Sequence, residues 1–160
     1  MAIGSVLTNT FKEELLGGYH SFNASGDTPA GSAFKIALYS ATTANIGTTT
    51  TQWVVASTPS ADPTNTLEVT TTGSGYTSGG NALTNTGVAK STVTSYTDFS
   101  DTSWTSASFT ARGCLIYNSS TISGLLTNAS VCTIDFGGDK TVSSGTFTIQ
   151  FPTNDSSDAI

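Results

Sequence analysis

The sequence predicts an all-β chain: an antiparallel β-sandwich of jelly-roll type with one short N-terminal helix. Three observations carry this. About a third of the 160 residues are Ser or Thr, and Val, Ile, Phe and Tyr are spread through the chain; these types suit a pleated, half-buried surface. Clusters of Gly, Asn, Asp and Ser recur at short intervals from Asn81 onward, as antiparallel strands require. The stretch 131–152 alternates cleanly, with Phe147, Ile149 and Phe151 on one face and Thr146, Thr148 and Gln150 on the other.

Residues 1–22 read as a helix or arm, and 23–160 as one sandwich domain. Thr10 is the expected helix cap, with Glu13 completing a capping box and Glu14 beside it in the first turn. Phe11 and Leu15 share a face, and Gly17-Gly18 end the helix. So short a helix needs a surface to persist, so that face is either a lid on the sandwich or a docking arm. The segment 33–39 reads as a strand with Phe34, Ile36 and Leu38 on one face and Lys35 interrupting the other. Residues 40–78 show weak periodicity and form the expected excursion, with a short strand at most around 67–69.

Strands are then expected at 81–86, 91–99, 102–104, 107–118, 129–136 and 146–151. The last two are expected to form a hairpin that reverses through Gly137-Gly138-Asp139-Lys140 and Ser143-Ser144-Gly145. Gly113, inside a long strand, marks a bulge or the close approach of another strand. Arg112 beside it needs a carboxylate, and Asp98, Asp101 and Asp135 are the candidates. A framework ion pair is its first reading and an interface arginine its second.

Charge and chemistry narrow the function. Charged residues make up 10% of the chain, far below the usual quarter, and the net charge is -6. The scattered cations Lys12, Lys35, Lys90, Arg112 and Lys140 make no basic patch, so nucleic acid is not an expected partner. No run is long enough for a membrane helix, and no secretory signal opens the chain. Cys114 and Cys132 are therefore expected as buried free thiols. The single histidine, His20, is expected to cap the helix C-terminus. Metal-binding spacings and nucleophile elbows are absent, so no metal, cofactor or catalytic residue is assigned and an enzyme is not expected. Carboxylate pairs (Asp98 with Asp101, Asp135 with Asp139) read as turn residues rather than glycosidase acids.

Three blocks carry a family likeness: Phe11-Lys12-Glu13-Glu14-Leu15-Leu16-Gly17-Gly18-Tyr19-His20 followed by Phe34-Lys35-Ile36-Ala37-Leu38-Tyr39; Trp104-Thr105 with Phe109-Thr110-Ala111-Arg112-Gly113; and Asp135-Phe136-Gly137-Gly138-Asp139-Lys140-Thr141 with Thr146-Phe147-Thr148-Ile149-Gln150-Phe151-Pro152. Together and in this order they resemble small virion structural proteins of tailed bacteriophages. The resemblance implies a capsid cement or decoration protein. Such a protein would be made in the host bacterial cytoplasm and would end on the virion surface. Its partner would be the major capsid protein, and it would assemble as a homo-oligomer, with a trimer matching local three-fold positions. Interface candidates are Phe11, Leu15, Arg112 and Lys140. The alternative is a tail or fibre module binding a host-surface glycan, which would expose Trp53, Tyr76, Tyr96 and Trp104 together.

Overall fold

One long ribbon of two strands frames the molecule. The computed structural model describes residues 3–24, 26–40, 46–54 and 67–153. In chain order these form β1 (Val6–Leu7), α1 (Asn9–Leu16), β2 (Phe34–Tyr39), β3 (Asn81–Leu83), β4 (Asn85–Ser91), β5 (Thr94–Phe99), β6 (Thr102–Asn118) and β7 (Ala129–Ile149). All pairings are antiparallel. Five strands make one sheet in the order β1-β7-β6-β2-β3, and β4 and β5 make a second. The all-β class and the single short helix are as the sequence predicts.

The expected hairpin within 131–152 does not form. β7 runs unbroken for 21 residues and pairs with β6 along its whole length, from Asn118↔Ala129 to Thr102↔Ile149. The residues that suggest reversal instead make bulges. Between Gly113↔Asp135 and Ala111↔Lys140, β7 spends five residues where β6 spends two, so the Gly137-Gly138 region loops out of the ladder. Gly137 has a φ of 70°, the left-handed region that glycine enters without penalty. A second bulge places Ser144 at φ 48°, and a third, on β6, places Ser106 at φ 52°. A partner strand of matching length supplies a ladder to both halves of β7; a reversal would forfeit half of those hydrogen bonds. The expected strands 102–104 and 107–118 are joined for the same reason. The expected strand 91–99 begins instead in the tight turn of the β4–β5 hairpin, where Ser91 pairs with Thr94.

The bulges bend the ribbon back over itself. Phe136 and Phe147 lie eleven residues apart, which a straight strand would set roughly 35 Å apart, yet their ring centroids are 6.4 Å apart. Trp104, near the far end of β6, stacks on Tyr76 at 6.1 Å, and the Tyr76 hydroxyl accepts from the Leu38 N–H at 2.9 Å. The distal half of the ribbon thus roofs the proximal half, and β6 and β7 pass from one layer to the other through their irregularities. Between the layers lies the main core: Phe34, Ile36, Leu38, Cys114 and Ile116 below, Trp104, Ala107 and Phe109 above, with Phe11 and Phe99 at the side. Phe22 and Phe34 stack at 4.7 Å, and Phe99 meets Phe34 edge-on at 5.4 Å.

The opposite face of the sheet is covered too. Ala37, Tyr39, Leu115 and Tyr117 pack with Ile3, Ile46 and Trp53, and Trp53 stacks on Tyr117 at 5.4 Å. Hence β2 is buried on both faces except at Lys35, the residue read from the sequence as interrupting its second face. The expected excursion supplies this cover: Trp53 donates its N–H to the Asn128 carbonyl at 2.9 Å. Glu68 makes a single bridge to Tyr39 where a short strand was expected. The expected features at 41–45 and 55–66 lie outside the described residues.

Gly113 shows why it must be glycine. It pairs with Asp135 on one side and Tyr39 on the other, and a Cβ there would overlap the Ile134 carbonyl oxygen and stand 3.0 Å from the Ile3 side chain.

Candidate docking seam

The sandwich is open along one side, where α1 and β1 meet the distal ribbon. Two adjoining grooves lie there, of about 740 Å³ and about 430 Å³. The larger runs between β1 with the first part of β7 (Ile134, Phe136) and the last part of the chain's framework (Phe147, Ile149, Phe151), and Lys140 is its one charged lining residue. The smaller lies between α1 (Phe11, Leu15) and the β4–β5 hairpin (Val88, Tyr96, Phe99). Leu7 and Cys132 line both, so the two make one seam.

The helix edges this seam because Thr8 anchors it. Thr8 is the cap in place of the expected Thr10: its Oγ1 accepts the Phe11 N–H at 3.3 Å, and its own N–H donates to the Val131 carbonyl at 3.0 Å. Starting two residues earlier leaves Glu13 and Glu14 beyond the first turn, and no capping box forms. Gly17 ends the helix as expected. Phe11 is buried in the main core, whereas Leu15 is 45% exposed and Leu16 92% exposed. Thus one side chain seals the sandwich and the next turn presents leucines to solvent, joined by exposed Leu7 and Val88.

His20 does not cap the helix. It is buried, 4.9 Å from the Phe11 ring, with Nε2 2.9 Å from Glu14 Oε2 and Nδ1 3.1 Å from Asn118 Nδ2. The Ser120 N–H donates to Asn118 Oδ1 and so turns the amide nitrogen toward the imidazole. The ring thus ties α1, through Glu14, to β6, through Asn118.

Arg112 lines neither groove. Its Nε donates to Asp135 Oδ1 at 3.1 Å, and its Nη1 lies 3.8 Å from Asp139. Asp135 was one of three carboxylates expected for it, and the pair clasps the root of the 136–139 bulge. The Gly137 N–H donates to the same Asp135 oxygen at 2.9 Å; that bond, with Arg112 behind it, holds the Asp135 carboxyl below its usual range. Asp98 accepts the N–H of its neighbour Phe99, and Asp101 accepts the Phe151 N–H from 50 residues away.

Cys114 and Cys132 are free and buried. Burial pushes the Cys132 thiol up to about 12 and that of Cys114 well above its ordinary value. Tyr76 is likewise raised, first by burial and then by Glu68, whose carboxylate accepts its hydroxyl at 2.8 Å and the Gly79 N–H at 2.6 Å. Trp53, Tyr76 and Trp104 are all buried and only Tyr96 is half-buried, so they form no exposed aromatic platform. Among the described residues no three His, Cys, Asp or Glu side chains are grouped to hold a metal, and no helix is long and apolar enough to cross a membrane.

Of the four interface candidates, Phe11 and Leu15 come together in the smaller groove, Lys140 rims the larger, and Arg112 stands apart. Sequence reasoning missed Leu7, Val88 and Leu16. Leu16 was legible as an apolar residue outside the Phe11–Leu15 stripe; Leu7 and Val88 carry no such signal. The chain matches no family model, no curated protein and no solved structure.

Proposed function

We propose that this chain is a structural component of a tailed-bacteriophage virion, a capsid cement or decoration protein that binds and stabilises the shell of the major capsid protein. The observation that carries the reading is the apolar seam, lined by exposed Leu7, Leu15 and Val88 with exposed Leu16 on the same helix, on a sandwich built over two cores. A low-charge framework with one apolar side suits repeated weak contacts that multivalency sums over a shell. The sequence likeness to small phage virion proteins supports the same role. Assembly as a homo-oligomer, a trimer at local three-fold positions, belongs to this proposal. Mass spectrometry of purified particles tests it: copy number comparable to that of the major capsid protein is expected, with cryo-microscopy density on the head. A few copies at the tail would overturn it. A glycan-binding tail or fibre module is the weaker reading, because it needs the aromatic side chains that are buried here.

A further inference from the structure

The outer edge of β7 is paired only at its beginning. There Val6 and Leu7 of β1 face Thr133 and Cys132. Past the 136–139 bulge, β6 holds one side of β7, and among the described residues no strand holds the other. Residues 141–149 contain neither a charge nor a proline, two of the devices by which sheet proteins blunt an open edge; a third, a bulge, occurs once, at Ser144. Instead they are rich in Thr, Val, Phe and Ile, which favour strand pairing. The larger groove borders this edge. Phe147 and Ile149 line it from the distal ribbon, with Ile134 and Phe136 opposite. All four are only half-buried.

We propose that the edge at residues 140–149 receives an extended strand from a partner protein, whose alternate apolar side chains fill the larger groove and whose carboxylate meets Lys140. An open row of N–H and C=O groups demands an extended backbone, and the adjoining apolar groove selects side chains of period two. β1 shows the mode within the chain: a short antiparallel strand on this same edge whose side chains line this same groove. The single cation at the rim sets the partner's charge. In antiparallel pairing the carboxylate comes near the C-terminal end of the incoming strand. The proposal deepens the shell reading by naming the chemistry of the contact, yet its test needs no particle, so failure here leaves the copy-number test standing.

The probe is a synthetic peptide alternating Thr with Val, Phe and Ile and ending in Glu; a control has the same composition without the alternation. Hydrogen exchange of the full chain should show amides within residues 140–149 slowed by at least about tenfold by the alternating peptide and not by the control. Lys140→Glu should weaken the Glu-ended peptide about tenfold and restore binding of a Lys-ended one, a swap that altered folding would not produce. Equal binding of both peptides to both proteins, or no slowed edge amide, overturns the proposal. So does edge protection in the peptide-free chain that rises with chain concentration, since a second copy would then hold the edge.

Discussion

Gly113→Ala tests whether the ribbon is as tightly threaded as its contacts require. The added methyl would overlap the Ile134 carbonyl oxygen, which is backbone, and crowd the Ile3 side chain at 3.0 Å. Because Gly113 sits between Asp135 and Tyr39, neither neighbouring strand can move away without stretching its ladder. Forcing a methyl into such a site costs about 1–3 kcal/mol. Replacing glycine also restricts the unfolded chain, which offsets about 0.4–1 kcal/mol of that. A net loss of about 1–2 kcal/mol remains, which for a chain of this size lowers Tm by roughly 2–8 °C. Gly138→Ala is the matched control: nothing lies within 4 Å of its added Cβ. That variant should be neutral or slightly stabilised. Urea unfolding of both, followed by tryptophan emission, gives the comparison. Gly113→Ala as stable as the parent, or Gly138→Ala equally damaged, would refute the steric argument.

Thr8→Ala removes a cap that also bonds β7 and should lower stability by about 1–2 kcal/mol in urea unfolding, whereas Thr10→Ala should cost less. Arg112→Met should lower Tm at neutral pH. The folded-state pKa of Asp135 lies below its ordinary 3.8, so its stabilising contribution is present above that value and is lost as pH falls through the folded pKa; the Tm difference between parent and variant should therefore shrink in acid. Both cysteines should resist iodoacetamide in the native chain at pH 8, with two thiols labelled after unfolding in urea. Leu16→Ser should leave Tm unchanged and, on the shell reading, weaken attachment to particles in a co-sedimentation assay.

Much of this architecture is legible in the sequence because it rests on period and propensity. The alternation at Phe147, Ile149 and Phe151 correctly marks a strand, and Gly113 marks both a bulge and a close approach. The reversal at Gly137-Gly138 was misread for a definite reason: glycine and serine at positive φ serve a turn and a bulge equally well. Only the length of the partner strand decides between them, and that is non-local. Lys35 marks the one break in the second face of β2, but what covers that face, Ile3, Ile46 and Trp53, is distant in sequence and carries no local signal. His20 looked like a cap because the helix end is adjacent, while Asn118, its partner on β6, is 98 positions away. The seam was half legible: Phe11 and Leu15 declare an apolar helix face, but nothing in the sequence of Val88 or Leu7 says that they border the same groove.

The bent ribbon also dictates when the chain can fold as it leaves the ribosome. The frame, residues 102–149, is a single hairpin whose strands are close in sequence, so its pairing closes a short loop. The β4–β5 hairpin can pair within itself and β3 can reach β2, but Val6 must wait for Thr133, and Phe34 for Asn118. The apolar strand β2 therefore spends most of its synthesis without its central partner. A ribosome stall before residue 118 would leave that strand exposed, and such segments aggregate readily. Prompt completion of the C-terminal hairpin is thus the step on which β1 and β2 depend.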